Sequence, residues 1–322
     1  MSQLNVNILA PIGYTGPNLS GNNNFVQIVD ALGDYFLATD ALDNIKLGKD
    51  ALNSTTGTSS TAVGKNALKN ATDNQNDGFG FNSLLGLTTG FYNLGLGGNA
   101  GRELINGTKN TFVGFGAGSM FTGSGDNNVT LGYQNGYVGT GGNGSNNTFL
   151  GADACYGYHG GDDNVVVGRF TPIAAIITGN NNIQIGKDAA KATPTTSNSI
   201  TLGNSSHNVL RCAVTSITSL SDARDKKEIT ELSAGLDFVK GLKPVEFVWD
   251  ERTEEGKHDI KDFGFIAQDL KKSQEDAQLA ETLKLVYEEN PEKLEASYGK
   301  LIPILVKAIQ DLAAKVEVLE KK

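Results

Sequence analysis

The first two-thirds of the chain repeats one short pattern of polar and apolar positions. An Asn or Ser, two variable residues, an apolar residue and a Gly recur ten times, with 16 to 19 residues between successive glycines. The ten glycines are Gly48, Gly64, Gly80, Gly97, Gly114, Gly132, Gly151, Gly168, Gly186 and Gly203. A near-constant period of this length indicates one small supersecondary unit stacked on copies of itself. The pattern predicts an elongated shaft and does not favour a catalytic pocket.

Each repeat predicts a short β-strand between two tight turns. The segments Asn110–Gly114 and Asn147–Gly151 are rich in β-branched and aromatic residues, as strands prefer. Asn tolerates the left-handed backbone region and Gly permits a positive φ, so both residues suit turns. We expect strands of about four residues. Stacking at about 4.8 Å would then let the backbone groups of each strand pair with its neighbours.

A single chain of such coils is expected to have a thin core, because each repeat offers few large apolar side chains. Bundling several chains around an axis would bury both sides of each rung, and three chains is usual for fibres. The predicted fold is a mainly β repeat shaft, a trimeric stacked β-structure with rungs of about 17 residues. A small α+β domain that ends in a trimeric coiled-coil helix is expected to follow it.

Composition divides the chain near residue 205. Of the 40 glycines, 35 lie at or before Gly203, whereas 18 of the 27 Lys and Arg residues lie after residue 205. We predict an N-terminal segment over residues 1–40, a β-repeat shaft over 41–205 and a compact domain over 206–322. A helix is expected over 300–322.

Charge and residue usage exclude several classes of function. The net charge of −9 argues against a nucleic-acid partner, which would require a basic surface. No apolar run is long enough to insert into a membrane, and no signal-peptide pattern is seen, so export by that route is not expected. Cys155 and Cys212 are interpreted as two free thiols. No metal site and no cofactor are predicted.

The rungs resemble those of two groups of repeat proteins. The segment Thr61–Leu68 (Thr-Ala-Val-Gly-Lys-Asn-Ala-Leu) is similar to the Asn-x-x-Ala-Ψ-Gly rungs of trimeric autotransporter adhesin heads and to the shafts of bacteriophage tail fibres. An autotransporter would carry a signal peptide and a β-barrel anchor, and we expect neither, which favours the phage interpretation. Gly123–Asp126 and Gly160–Asp163 faintly resemble calcium-binding repeats. They lack the nine-residue spacing and are interpreted as solvated turns.

Four elements of the back domain carry a second resemblance. They are Ser221-Asp-x-Arg-x-Lys, Leu242-Lys-Pro-Val-x-Phe-x-Trp, Gly264-Phe-Ile-Ala-Gln-Asp and Leu301-Ile-x-x-Leu-Val-x-Ala-Ile-Gln-x-Leu. In this order they resemble the intramolecular chaperone auto-processing domain at the C-terminus of phage tail fibres and tailspikes, including endosialidases, over about residues 219–322. The resemblance implies that the domain trimerises, templates folding and then cuts itself off between Leu220 and Ser221.

The resemblance implies that Ser221 is the nucleophile and Lys226 the general base. A lysine acts as a base only when neutral, so its pKa must fall from about 10.4. Arg224 and Lys227 are expected to help by like-charge repulsion. Asp225 works against that fall, and family members often carry an apolar residue at its position.

Spacing restricts how the two residues of this dyad meet. Five residues apart, Ser221 and Lys226 point about 140° away from each other on a helix. On a strand they lie on opposite faces. They meet only across a turn or between chains. The alternative is an ordinary polar turn with its side chains in solvent.

The last predicted helix carries an a/d heptad seam with spacings of 3 and 4 residues. The seam residues are Ile302, Leu305, Ile309, Leu312, Val316 and Leu319. The seam favours a parallel bundle of chains, and the alternative is a helix packed on its own domain. Ser233 is expected to cap a short helix, and residues 254–259, which include His258, are expected to form a solvated hairpin loop.

Together these features predict a homotrimeric phage tail fibre, made in the host cytoplasm and carried on the virion. The segment 1–40 is expected to dock on a tail, baseplate or adaptor protein, and a glycan or protein receptor on a bacterial surface is the expected distal partner. Any chemistry is expected to be a single self-cleavage. A polysaccharide-degrading tailspike, which requires paired carboxylates, and a bacterial trimeric surface adhesin remain the alternatives.

Overall fold

The computed structural model describes thirteen ranges of the chain. They are residues 28–29, 35–39, 42–53, 56–119, 121–136, 144–156, 160–169, 178–189, 193, 195–207, 209–213, 218–252 and 257–322, with only the backbone for the first two. Most of the predicted N-terminal segment lies outside these ranges. The expectation that this segment docks on a tail or adaptor protein therefore also lies outside the described residues.

Twelve strands form one sheet in which spatial order follows chain order. They are β1 Ile28–Val29, β2 Tyr35–Thr39, β3 Ile45–Leu47, β4 Thr61–Val63, β5 Asp77–Phe79, β6 Leu94–Leu96, β7 Thr111–Val113, β8 Val129–Leu131, β9 Thr148–Leu150, β10 Val165–Val167, β11 Ile183–Ile185 and β12 Ile200–Leu202. Strands β1, β2 and β3 pair antiparallel. From β3 to β12 every neighbouring pair is parallel and in register.

The ten parallel strands confirm the predicted shaft of stacked β-repeats, since each strand ends immediately before a repeat glycine, and the shaft is a β-solenoid. The strands are three residues long rather than the expected four. The glycine is required by close approach as well as by its backbone angle. At Gly114 φ is +128°, and an added Cβ would lie 2.2 Å from the carbonyl oxygen of Gly132 in the next coil. Only glycine lets the coils approach this closely.

The middle residue of each strand from β4 to β11 points into the solenoid and is buried. This inward position is small in the first coils, with Ala62, Gly78 and Gly95, and larger further on, with Phe112 and Phe149. Leucines of the return segments complete one continuous apolar cluster. The interior is therefore narrow, as expected, but a single chain closes around it.

Buried asparagines form a hydrogen-bonded ladder along the interior, which we call the Asn ladder. It consists of Asn76, Asn93, Asn110, Asn128, Asn147, Asn164 and Asn182, and Ser199 follows it. From Asn93 onward, each side-chain amide donates to the amide oxygen of the preceding member at 3.0–3.1 Å. It also donates to a backbone carbonyl at 2.8–3.0 Å.

The Asn ladder corrects the role that the sequence analysis gave to this residue. The left-handed backbone belongs to the residue before it, such as Tyr92 (φ 62°) before Asn93 and Asn127 (φ 57°) before Asn128. The repeated Asn is instead a buried hydrogen-bonding side chain. A buried amide is tolerated only when its donors and acceptor are paired, as they are here.

A small α+β region follows the shaft. Its elements are a 3₁₀ turn Ala223–Asp225, α1 Leu236–Lys240, β13 Pro244–Asp250, β14 His258–Phe265, α2 Ala267–Asp276, α3 Ala280–Leu283, β15 Val286–Tyr287, β16 Glu295–Ala296, a 3₁₀ turn Tyr298–Lys300 and α4 Leu301–Glu320. Strands β13 and β14 form the predicted antiparallel hairpin. His258 lies in β14 rather than in a loop, and its Nδ1 is 3.0 Å from Asp250 Oδ1.

Helix α4 packs on its own region through one face. Leu301, Ile304 and Ala308 are buried, and the first two join Phe238 and Leu270 in a second apolar core. The expected Ser233 cap of α1 is wrong, because the residue before the helix is Gly235 and makes no side-chain cap.

The N-terminus of α1 is satisfied by α4 instead. Asp311 Oδ2 accepts a hydrogen bond from the backbone N–H of Leu236 at 3.1 Å. A residue 75 positions away in the chain therefore supplies the cap.

Candidate functional site

A tight turn brings Ser221 and Lys226 together. The 3₁₀ turn Ala223–Asp225 reverses the chain, and Lys226 N donates to the carbonyl of Ala223 at 3.2 Å. The Nζ of Lys226 then lies 2.7 Å from Ser221 Oγ and donates a hydrogen bond to it. One chain therefore places the predicted nucleophile and base in contact, across a turn as the spacing requires.

The turn is stabilised by Asp222. Its carboxylate accepts a hydrogen bond from the backbone N–H of Arg224 at 2.9 Å. The same carboxylate accepts from Arg224 Nε at 3.0 Å and from Nη2 at 2.6 Å. These bonds lower the pKa of Asp222, mainly through the Arg224 side chain and then through its N–H, and they raise the pKa of Arg224. The Ser-Asp-x-Arg motif is thus a self-capped turn.

This pairing changes the interpretation of the charges around Lys226. Arg224 is engaged by Asp222 and is not an uncompensated positive charge beside the dyad. Lys227 lies 4.0 Å from Glu228. Within the described residues 218–230, the ion pairs within 4.0 Å are these two, and neither includes Asp225 or Lys226. The expected help from Arg224 is therefore offset by Asp222.

The dyad is open to solvent in a single chain. Every residue from Thr218 to Thr230 is exposed, and Leu220, on the other side of the predicted cleavage point, is fully so. The single chain therefore supplies contact between Ser221 and Lys226 but not the burial that favours a neutral lysine.

The predicted trimer seam on α4 is also exposed. All six residues of the seam are at least 43% exposed, and Ile309 and Leu319 reach 67%. At about 100° per residue, the seam lies beside the face of the buried residues Leu301, Ile304 and Ala308 and partly overlaps it. The helix therefore packs on its own region and also presents an apolar stripe, so the two interpretations of its sequence are compatible.

Several shaft carboxylates join neighbouring coils. Asp126 Oδ1 accepts hydrogen bonds from the backbone N–H and the hydroxyl of Thr108 at 2.7 and 2.9 Å. Asp162 accepts from the N–H of Ser145, and Asp163 from the amide of Asn146. These contacts give the two glycine-rich turns a structural role. They do not favour the paired carboxylates of a glycosidase.

Within the described part of the chain, no group of three or more His, Cys, Asp or Glu side chains is arranged to hold a metal ion. No helix among the same residues is long and apolar enough to cross a membrane.

Ser221 and Lys226 both lie in the part of the chain that matches a known protein family. Residues 221–279 match the family described as chaperone of endosialidase. We call this range the chaperone segment. It begins at Ser221 and contains Lys226, the β13–β14 hairpin and α2. Neither a search of curated proteins nor a search of solved structures found a match.

The β-solenoid followed by the chaperone segment fits a phage tail fibre or tailspike with a C-terminal chaperone. The match stops before α3, so the resemblance of residues 280–322 depends on the α4 motif alone.

Proposed function

We propose that this chain is the subunit of a homotrimeric phage tail fibre that attaches the virion to a receptor on a bacterial surface. The observation that carries the proposal is the order of the two parts along the chain, a β-solenoid and then the chaperone segment. A stacked shaft is a rigid extended scaffold rather than an enclosed pocket. The role is therefore structural and adhesive.

The receptor contact is assigned to the turns of the shaft. The coils differ there in length and composition, whereas their strands are nearly uniform. Loops on a rigid scaffold are where binding residues concentrate. The segment 1–40 is assigned to the phage tail, baseplate or an adaptor protein, which leaves the shaft free to reach the cell.

Trimer formation is assigned to the region after the shaft. The exposed seam of α4 has the 3-4 spacing of a parallel coiled coil. Three seams packed together would bury side chains that a single chain leaves in water, which is favourable for apolar surface. We assign to this region, which contains the chaperone segment, the role of a template for assembly of the shaft.

Self-cleavage is assigned to the Leu220–Ser221 bond. The Ser221 hydroxyl attacks the carbonyl carbon of Leu220 while its proton passes to neutral Lys226 Nζ. The peptide C–N bond then breaks, the Ser221 nitrogen takes that proton, and Leu220 is left as an ester of Ser221 Oγ. Water hydrolyses the ester and yields the Leu220 carboxylate and a free Ser221 hydroxyl.

Assembly is the step that activates the dyad in this account. Ser221 and Lys226 are already in contact in one chain but remain in solvent. Burial against neighbouring chains would favour the neutral form of the lysine. Cleavage therefore follows trimerisation and releases a finished fibre.

The mass of the purified protein under denaturing conditions tests the cleavage. We expect one product that ends at Leu220 and one that begins at Ser221, while Ser221→Ala and Lys226→Met remain full length. Ser219→Ala and Lys227→Met are the matched controls and should be cut like the wild type. Cleavage of Ser221→Ala at the same bond would exclude Ser221 as the nucleophile.

Attachment is tested by incubating labelled fibre with intact bacterial cells and assaying the supernatant for released sugar. The proposal predicts saturable binding without sugar release. Sugar release would instead identify a polysaccharide-degrading tailspike, and failure to bind cells of a host that the parent phage infects would contradict the adhesive role.

A further inference from the structure

One column of outward-facing side chains on the solenoid sheet is apolar along its whole length. The third residue of each strand from β3 to β12 points away from the interior and is aliphatic or Phe in all ten coils. None of these residues is buried in a single chain. They are Leu47, Val63, Phe79, Leu96, Val113, Leu131, Leu150, Val167, Ile185 and Leu202.

The first residue of each strand shares this outward side. It is Thr or aliphatic in nine of the ten strands, and the exception is Asp77. One oxygen of that carboxylate accepts a hydrogen bond from the backbone N–H of Thr61 at 3.1 Å, so the carboxylate is bonded to the preceding coil. We call the first and third residues of β3–β12 the strand face. It contains no Lys or Arg.

Three aromatic side chains extend the strand face at one edge. Phe81, Phe115 and Tyr133 each follow a repeat glycine directly and are about half exposed. The rings of Phe115 and Tyr133 stack with centroids 6.0 Å apart and an interplanar angle of 15°. A Cβ added at Gly98, the same position one coil earlier, would lie 3.2 Å from the ring of Phe115.

A β-sheet with apolar residues on both sides is normally covered on both sides. Here the chain covers the inner side itself, while the outer side forms an exposed strip. Ten strands at about 4.8 Å make that strip roughly 45 Å long. Contiguous apolar surface on this scale marks an interaction site.

We propose that the strand face is the contact between copies of this chain along the shaft, each copy packing against the strand faces of the others. A partner for this strip must offer apolar side chains at the same short spacing over ten coils. A second copy in the same register does so, because its strands have the same spacing and composition.

The uniformity of the strand face also separates it from a receptor site. Its apolar character is kept through all ten coils, whereas a receptor contact requires only a local surface. The inference rests on the homotrimer proposed above and adds to it the surface that holds the shafts together. Residues on the strand face then lie near the common axis and the turns lie outside.

Cysteine cross-linking in the full-length protein tests the position of the strand face. Leu131→Cys and Val167→Cys are made separately in a Cys212→Ala background, because Cys212 is exposed and Cys155 is buried. Thr88→Cys, which lies on an exposed turn, is the control. After mild oxidation we expect both strand-face variants to run as covalent dimers on denaturing gels and the control to run as single chains.

The oligomeric state of the same samples separates the two proposals. If light scattering shows trimers but neither strand-face variant forms dimers, the strand face is not the interface and the homotrimer stands. If the protein is a single copy in solution, both the inference and the proposed trimer are wrong. Dimers in the Thr88→Cys control at the level of the strand-face variants would also overturn the inference.

Discussion

Asn128 Oδ1 accepts two hydrogen bonds from Asn147, one from its backbone N–H at 3.0 Å and one from its side-chain amide at 3.0 Å. The amide of Asn128 in turn donates to Asn110 Oδ1 at 3.1 Å and to the carbonyl of Gly144 at 2.9 Å. One side chain thus joins three consecutive coils. In a narrow interior, the Asn ladder fixes the alignment of each coil on the next, which apolar contacts alone would not do.

Replacing Asn128 with Ala should therefore destabilise the shaft. The change leaves the backbone N–H of Asn147 and the oxygen of Asn110 each short of a partner, at a cost on the order of 2 kcal/mol or more. The free energy of unfolding from denaturant titration measures it. Asn74→Ala, which removes an exposed contact to the N–H of Thr58, should cost less than about 1 kcal/mol. Equal losses for the two variants would contradict a special role of the Asn ladder.

Replacing Gly114 with Ala should disrupt packing between coils. Its φ of +128° is unfavourable for a residue with a Cβ, and the added atom would lie 2.2 Å from the oxygen of Gly132. We expect a loss of several kcal/mol or failure to fold, about the upper range for single substitutions. Gly299→Ala is the control, because its added Cβ meets no atom within 4 Å. A Gly114→Ala protein with an unchanged melting temperature would show that the coils are not this closely stacked.

Replacing Ile309 with Lys should weaken the association of the C-terminal helices. Ile309 is 67% exposed in one chain and lies in the middle of the seam. A charge placed between packed helices is costly. Sedimentation should show that the variant already dissociates at protein concentrations about tenfold or more higher than those at which the wild type dissociates. Gln310→Lys, the adjacent exposed position outside the seam, should leave the association unchanged.

Acid should loosen the contact between α1 and α4. The pKa of Asp311 is lowered by the hydrogen bond from Leu236 N–H first and by that from Lys307 next. A carboxyl whose pKa is lower in the folded state contributes stability above its unfolded pKa of about 4. That contribution is lost as pH falls through the folded value, so helical circular dichroism should decline below about pH 4.

Asp311→Asn isolates this effect. The variant should have lower stability at neutral pH and a flatter acid transition, while Glu317→Gln, an exposed residue of the same helix, should titrate like the wild type. An unchanged acid transition in Asp311→Asn would assign the loss to other carboxylates.

The shaft could be predicted from the sequence because its determinants are local. The repeat Gly occurs where φ is positive and a Cβ would collide, so its period marks the coils directly. The role of the repeated Asn was not predictable in the same way. Whether Asn128 turns the chain or bonds Asn147 depends on the register between coils 19 residues apart. The Asn-to-Gly pattern is compatible with both.

The small α+β region after the shaft shows the same limit of local sequence patterns. The short-range Asp222–Arg224 turn makes the contact between Ser221 and Lys226 possible, and spacing alone identified the need for a turn. The cap of α1 comes from Asp311, 75 residues away. A local pattern assigned it to Ser233, because a nearby Ser is a strong capping signal when tertiary contacts are unknown.

The central claim is that this chain acts as a set of three copies. Light scattering on the purified Ser221→Ala protein, which keeps both regions in one chain, measures the number of copies directly. The account predicts three times the mass of one chain, 34.0 kDa, independent of dilution across the working range. A stable, folded particle with the mass of a single chain would contradict it.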